Sequence, residues 1–313
     1  MNVQWNRATS KLVGRLPQRL FTKLLPVLLL LLLSGCTRLF FYPMQQHIMV
    51  PATLGYNYQD IFLRASDETR LHAWLIEPIG PPRGTIYFLH GNAENISTHF
   101  RATLWLVDKG YEVFALDYRG YGLSQGTPDV PEVFDDIAAG ARWITQHVSA
   151  AGQAHRPLFL YGQSLGASLA ITFAQREATF NEQFNGLITE AAFARYDTIA
   201  QDIAARNWFT WGAQYPVRWL IGRHYDPLDA IAQLPGTPKL LIHSSEDTII
   251  PYRFGQALFK AASEPRQMLT TTGPHINAAA DPAVRSAMLA FMRRYARPEI
   301  SPVQLLSDNQ TDP

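Results

Sequence analysis

The stretch FLYGQSLGASLAITFA, Phe159–Ala174, decides how this 313-residue chain is read. With Leu158 before it, four strand-forming residues run into Gly162-Gln163-Ser164-Leu165-Gly166, and a run of small helix formers follows at once. In a G-x-S-x-G pentapeptide at a sharp strand-to-helix turn, the serine Oγ is thrust out above the sheet, and the glycines stand where a Cβ would collide with the turn. Ala167, Ser168 and Ala170 are small enough for the helix to pack close behind. The pentapeptide alone is weak evidence, because glycine and serine are common. The strand before it and the helix after it set it apart from a structural turn with a solvent serine.

A serine hydroxyl is a poor nucleophile until a base takes its proton, and the base works best as an imidazole oriented by a carboxylate. Both partners are expected at later strand ends, the acid before the histidine. KLLIHSSEDTIIP places Asp247 just past a buried strand, and MLTTTGPHIN places His275 in a Gly-Pro turn before the final helix. Glu190, at the end of the strand after the nucleophile helix, is the runner-up for the acid. Glu246 reads as a solvated neighbour, His243 as a core histidine, Asp117 and Arg119 as loop ties, and His90 as a brace for its own loop. A developing oxyanion needs fixed N–H donors. One is the Leu165 amide, and the loop LHGNAEN supplies the other, Asn92 with Ala93 as its alternate.

Outward from this centre, short apolar runs alternate with helical stretches, the pattern of strands and crossover helices around a mostly parallel sheet. DIFLRAS and LHAWLIEP open as a hairpin-like pair, and GTIYFLH, YEVFALD, PLFLYG, GLITE and KLLIH follow as buried strands. Helices are expected over HFRATLWLVDKG up to Gly110, over VPEVFDDIAAGARWITQHV, after Ser164, after Pro251 and over Asp281–Ala296. Residues 192–235 hold Trp208, Phe209, Trp211, Tyr215 and Trp219, more aromatics than a plain crossover requires, and predict an insertion folded over the sheet as a lid. The tail 297–313 is polar and punctuated by proline.

With 47% hydrophobic and 17% charged residues and a formal charge of +1, the chain holds material for a large core and no basic field for nucleic acid. No paired-cysteine spacing or H-E-x-x-H helix suggests a metal site, and no metal or organic cofactor is expected. GYGLSQG is one residue too long for a dinucleotide loop, and no P-loop occurs.

These motifs together resemble the α/β-hydrolase superfamily, in particular its small serine hydrolases with H-G-N-x-x-N, D-Y-R-G-Y-G-x-S, G-x-S-x-G, a late E-D-x-x-x-P and a final H. They stand here as His90–Asn95, Asp117–Ser124, Gly162–Gly166, Glu246–Pro251 and His275, within a domain of residues 55–296. The resemblance implies Ser164 as nucleophile, His275 as base and Asp247 as orienting acid. That group often carries a glycine shortly before the acid and another directly before the histidine, whereas Ser244 and Pro274 stand here.

At the N-terminus, Arg7, Lys11, Arg15, Arg19 and Lys23 precede LLPVLLLLLL, Leu24–Leu33, which is too short to span a bilayer comfortably. Leu33-Ser34-Gly35-Cys36 resembles a bacterial lipobox, which implies a signal peptide over 1–35, lipidation of Cys36, the only cysteine, and a linker over 36–54. Thr37 resembles the residue following the lipidated cysteine in lipoproteins sent to an outer membrane. The expected protein is thus a periplasm-facing lipoprotein that cleaves a small acyl substrate, an ester or thioester. A peptidase or amidase with the same triad is the alternative, and so is an inactive hydrolase fold serving as a binding module.

Overall fold

In the computed structural model, which describes residues 40–150, 156–206 and 225–296, the alternating pattern becomes an eight-stranded sheet. The strands are β1 (Tyr42–Pro43), β2 (Tyr58–Arg64), β3 (Arg70–Ile76), β4 (Gly84–Leu89), β5 (Ala93–Glu94), β6 (Tyr111–Asp117), β7 (Leu158–Gln163), β8 (Gly186–Glu190), β9 (Lys239–Ser244) and β10 (Arg266–Thr271). Their order in the large sheet is β10-β9-β8-β7-β4-β6-β3-β2. The β2–β3 and β3–β6 pairs are antiparallel and every other pair in it is parallel. β4 and β7 are buried at every residue, as parallel strands covered on both faces must be.

Side-chain alternation sends β4 to two cores. Ile86 and Phe88 join Trp74, Phe100, Trp105, Phe159, Tyr161, Met288 and Phe291 on one face. Tyr87 points the other way, donating to the Ile137 carbonyl at 3.0 Å from under α3 (Glu132–Ala150). The helix after Ser164, α4 (Leu165–Arg176), is buried from Leu165 through Ala174. This central helix is apolar all round because it is enclosed all round.

β4 leads to β6 on one side and β7 lies on the other, so the order reverses between β4 and β7. The loops leaving such a pair diverge and open a crevice at the C-terminal strand ends. Here those loops are His90–Asn95 and the turn at Ser164.

Two expectations needed revision. The helix read over residues 99–110 starts earlier, as α1 (Ile96–His99), and passes through the 3-10 turn Phe100–Thr103 before α2 (Leu104–Val107). Asn95 sets that start: its side chain accepts from the Ser97 amide at 2.9 Å, an N-cap that local apolar spacing did not reveal. Gly110 closes the segment in the left-handed region, φ 86°. The second concerns residues 36–54, expected as a linker. From Phe40 on they form a strap packed on the domain, because Phe40 and Phe41 are buried, Phe40 against Phe193 and Tyr196. β1 within it pairs with β5, and Asn95 Nδ2 donates to the Met44 and Gln46 carbonyls at 2.8 and 2.9 Å.

The edges of the expected insertion are helical, α5 (Tyr196–Arg206) and α6 (Pro227–Ala232). Asp226 joins its two ends, accepting from Arg195 Nη1 at 2.8 Å and from the Tyr196 amide at 3.0 Å. Trp208, Phe209, Trp211, Tyr215 and Trp219 lie outside the described residues, as do the expected signal peptide 1–35, Cys36 and the tail 297–313. Among the described residues no helix is long and apolar enough to cross a membrane. Two further helices follow, α7 (Arg253–Ala261) and α8 (Pro282–Tyr295).

The turn at Ser164 leaves no room for a side chain on its flanks. A Cβ on Gly166 would lie 2.2 Å from the Leu89 carbonyl oxygen and 2.4 Å from that of His90, both backbone atoms that cannot rotate away. Gly166→Ala is therefore expected to cost about 3 kcal/mol or more. Gly236, at φ 78° with nothing within 4 Å of its missing Cβ, is the control. Gly236→Ala should cost only the left-handed penalty of about 1–2 kcal/mol. Urea unfolding midpoints of the two variants check both.

Candidate active site

Ser164 occupies a backbone conformation that side chains rarely adopt, φ 54° and ψ −118°. The strain is held from three sides. Its amide donates to the Glu190 carbonyl at 2.8 Å, Gly166 presses on the β4 end, and a Cβ on Gly162 would sit 2.4 Å from the Gly166 carbonyl. Such strain persists only where its surroundings over-determine it.

His275 and Asp247 arrive on the loops after β10 and β9. Ser164 Oγ lies 2.9 Å from His275 Nε2, and His275 Nδ1 lies 2.6 Å from Asp247 Oδ2. An ionised carboxylate only accepts, so Nδ1 carries the hydrogen and Nε2 is left to accept from the serine hydroxyl. Burial alone would raise the Asp247 pKa. The hydrogen bond and charge of His275, then the Ile250 and Ile249 amides on Oδ1 at 2.9 and 2.8 Å, outweigh it and hold the carboxyl below its ordinary value. Three residues far apart in sequence thus form one relay.

The residues weighed against them go elsewhere. Glu190 is buried and accepts from Tyr161 Oη, Gln163 Nε2 and the Ala278 amide, so its oxygens serve the floor and not His275. His243 is a buried brace: its Nε2 donates to the Ile250 carbonyl at 2.8 Å, and burial lowers its pKa. His90 Nδ1 bonds the Gly91 carbonyl at 2.8 Å, and burial pushes its pKa down to about 4, which keeps the ring neutral. Arg119 forks onto Asp136 and reaches Asp67 at 3.0 Å, tying its loop to α3 and to the β2–β3 turn.

The loop after β4 passes directly over the serine. A Cβ on Gly91 would stand 3.7 Å from Ser164 Cβ and 3.1 Å from His99 Cε1. The Asn92 carbonyl is drawn outward by Tyr121 Oη at 2.6 Å and the Tyr42 amide at 2.9 Å, and His99 Nε2 bonds the Ala93 carbonyl at 3.1 Å. With its carbonyls taken on the outside, the loop is fixed against Ser164. Leu165 is the first residue of α4, and its amide is among the N-terminal donors that find no acceptor inside the helix.

Five supports escaped sequence reasoning. Tyr121 sits inside the D-Y-R-G-Y-G motif, which was a usable signal, but Tyr42 and His99 carried none. Ser244, noted only as a departure, is a connector. Its Oγ donates to the Gly273 carbonyl at 2.6 Å and accepts from the Glu246 amide at 3.1 Å. Glu246, read as a solvated neighbour, accepts from the Gly273 amide at 2.7 Å. The acid loop and the histidine loop are therefore laced together two residues before His275.

A parallel sheet with antiparallel strands at one edge, and a strained serine at its switch point with histidine and aspartate on the loops after the last two strands, define an α/β-hydrolase. The chain belongs to that superfamily. The family described as serine aminopeptidase, S33, matches residues 80–227. The uncharacterized protein YfhR of Escherichia coli K12 is 30% identical over 293 residues, 91% of this chain and 97% of that one. The lysophosphatidylserine lipase ABHD12 of Danio rerio is 27% identical over 209 residues, 62% of this chain and 51% of that one. Among solved structures, a Pyrococcus furiosus esterase aligns with a TM-score of 0.67 at 21% identity, covering 82% of this chain and 99% of its own.

Ser244→Ala removes the hydroxyl's bond to the Gly273 carbonyl and its bond from the Glu246 amide, and leaves the Gly273 carbonyl without that donor. A loss of about 1–2 kcal/mol is expected in chemical denaturation. Ser244→Thr, which keeps the hydroxyl, should recover most of it.

Proposed function

We propose that the protein hydrolyses carboxylic esters through an acyl-enzyme intermediate on Ser164. The observation that carries this reading is the continuous relay from Ser164 Oγ through His275 to Asp247, at 2.9 and 2.6 Å. His275 Nε2 takes the hydroxyl proton as Oγ attacks the acyl carbonyl, and Asp247 holds the ring and balances the imidazolium that forms. The Leu165 amide and the Asn92 amide, with Ala93 as the alternate donor, receive the oxyanion. His275 then returns the proton to the departing alkoxide. Water, activated by the same nitrogen, attacks the acyl carbon and frees Ser164 with release of the acid.

The substrate reading is a long-chain acyl ester such as a lysophospholipid. It is supported by the name of the ABHD12 relative and by the membrane site that lipidation of Cys36 would confer. The lipidation reading rests on Leu33-Ser34-Gly35-Cys36, and with it go the periplasm-facing location and the outer membrane. The thioester reading stands beside the ester one, since the same relay serves both. The aminopeptidase description of the matching family keeps amide cleavage in the substrate panel.

Ser164→Ala should lower kcat on p-nitrophenyl esters by at least about a thousandfold with KM little changed, and abolish fluorophosphonate labelling measured by intact mass. Asp247→Asn should keep the fold and lower kcat by about a thousandfold or more, because the ring loses its tautomer control. Undiminished turnover by Ser164→Ala would overturn the reading. A folded wild type that takes no label would favour the binding module instead.

A further inference from the structure

Behind the oxyanion loop, three chain segments bring ligand-type atoms to one buried point. Asp117 ends β6, His72 lies on β3, and His47 lies on the strap. Asp117 Oδ2 is 3.4 Å from His47 Nε2 and 3.7 Å from His72 Nδ1, and the three atoms lie within 4.8 Å of one another. His72 and Asp117 side chains are fully buried, and His47 is 16% exposed.

Hydrogen-bond accounting leaves this point unbalanced. His72 Nε2 is 2.8 Å from Asp60 Oδ1. A carboxylate can only accept, so Nε2 carries the hydrogen, and in a neutral ring Nδ1 is then a bare lone pair. That Nδ1 is buried, has no hydrogen-bond partner, and faces the second carboxylate, Asp117. Lone pair against carboxylate in a low-dielectric interior is repulsive, and a cation between them reverses the sign.

The surroundings have the form of an outer shell around such a cation. A metal-bound imidazole characteristically donates its other N–H to a carboxylate, and ligating carboxylates are themselves hydrogen-bonded. Asp60 plays the first part and also accepts from Trp74 Nε1 at 2.9 Å. Asp117 Oδ1 accepts from the Ile96 amide at 2.9 Å, and Oδ2 has a long hydrogen bond of 3.4 Å to His47 Nε2, which an ion shared by the two would replace. His90 Nε2 lies 3.5 Å from Oδ1, on the carboxylate's other side and outside the set. Gly122 keeps the space open: a Cβ there would fall 1.9 Å from Asp117 Oδ2 and 2.8 Å from His47 Nε2. Nitrogen and oxygen ligands at about 2.0–2.2 Å from a tetrahedral ion stand about 3.3–3.6 Å apart, close to the 3.4 and 3.7 Å that separate Asp117 Oδ2 from the two imidazole nitrogens.

We propose that His47 Nε2, His72 Nδ1 and Asp117 Oδ2 bind one divalent transition-metal ion of the zinc class, with water in the fourth position. Two imidazoles and one carboxylate suit zinc, cobalt or nickel over magnesium and calcium. The ion staples the strap to the sheet. The same strap holds the Asn92 carbonyl through Tyr42, so the ion's role is structural support of the loop over Ser164.

The test uses the full chain with a non-histidine affinity tag, purified in detergent and stripped with chelator, and zinc alone as the probe. Wild type should take up one zinc per chain by metal analysis and calorimetric titration, melt at a higher temperature with zinc, and show visible absorption of a tetrahedral centre with cobalt(II). His47→Ala should bind at least 100-fold more weakly and lose the zinc-dependent shift, while its metal-free melting stays near that of stripped wild type. If His47→Ala does not fold, His47→Gln, which keeps the side-chain bulk without the imidazole, is read the same way. Absence of stoichiometric uptake by wild type, or equal affinity in wild type and variant, would overturn the site.

Discussion

The approach of the α4 backbone to the end of β4 is the constraint on which the site depends. Gly166 lies so close to the Leu89 and His90 carbonyls that a single methyl group would intrude on both. That contact brings the start of the buried helix against the next strand's loop and forces Ser164 into a left-handed turn. The serine then stands over the sheet beside the loop that offers its amides. Without glycine the two backbones would separate, and Ser164 and the loop would part together.

Around this contact the polar groups are consumed in pairs, as a buried network must be if it is to specify one arrangement. Glu190 accepts from the floor of the site on one oxygen and from the Ala278 amide, beyond His275, on the other. Ser244 and Glu246 each bind one side of Gly273, so the histidine loop cannot shift without breaking bonds to the loop that carries Asp247. The strap adds a third layer by holding the carbonyl of Asn92. Precision at the serine thus comes from loops tied to each other as much as from the strands that launch them. Asp247 and Asp117 both face histidines but differ in setting. Asp247 bonds its histidine at 2.6 Å, whereas His72 Nδ1 stands 3.7 Å from Asp117 with no hydrogen-bond partner.

The central strands, the elbow and the positions of Ser164, Asp247 and His275 were legible in the chain because each rests on a local pattern. Parallel strands buried on both faces must be apolar runs, and a turn without room for Cβ must carry glycine. The acid and the histidine follow strands whose order along the chain is also their order in the sheet. What the chain alone determined was therefore which residues could act and at which strand ends they stand.

Tertiary structure decided the rest, because those features are contacts between distant segments that no short window encodes. The broken start of α1 depends on Asn95, which caps that helix and also grips the strap. Ser244 looked like a departure from a family pattern until its hydroxyl met Gly273 across the loops. His47, His72 and Asp117 show no ligand spacing in sequence. They meet only because β3 pairs with β6 and the strap lies across them, and side-chain chemistry at such a meeting point is set by what the fold places opposite it.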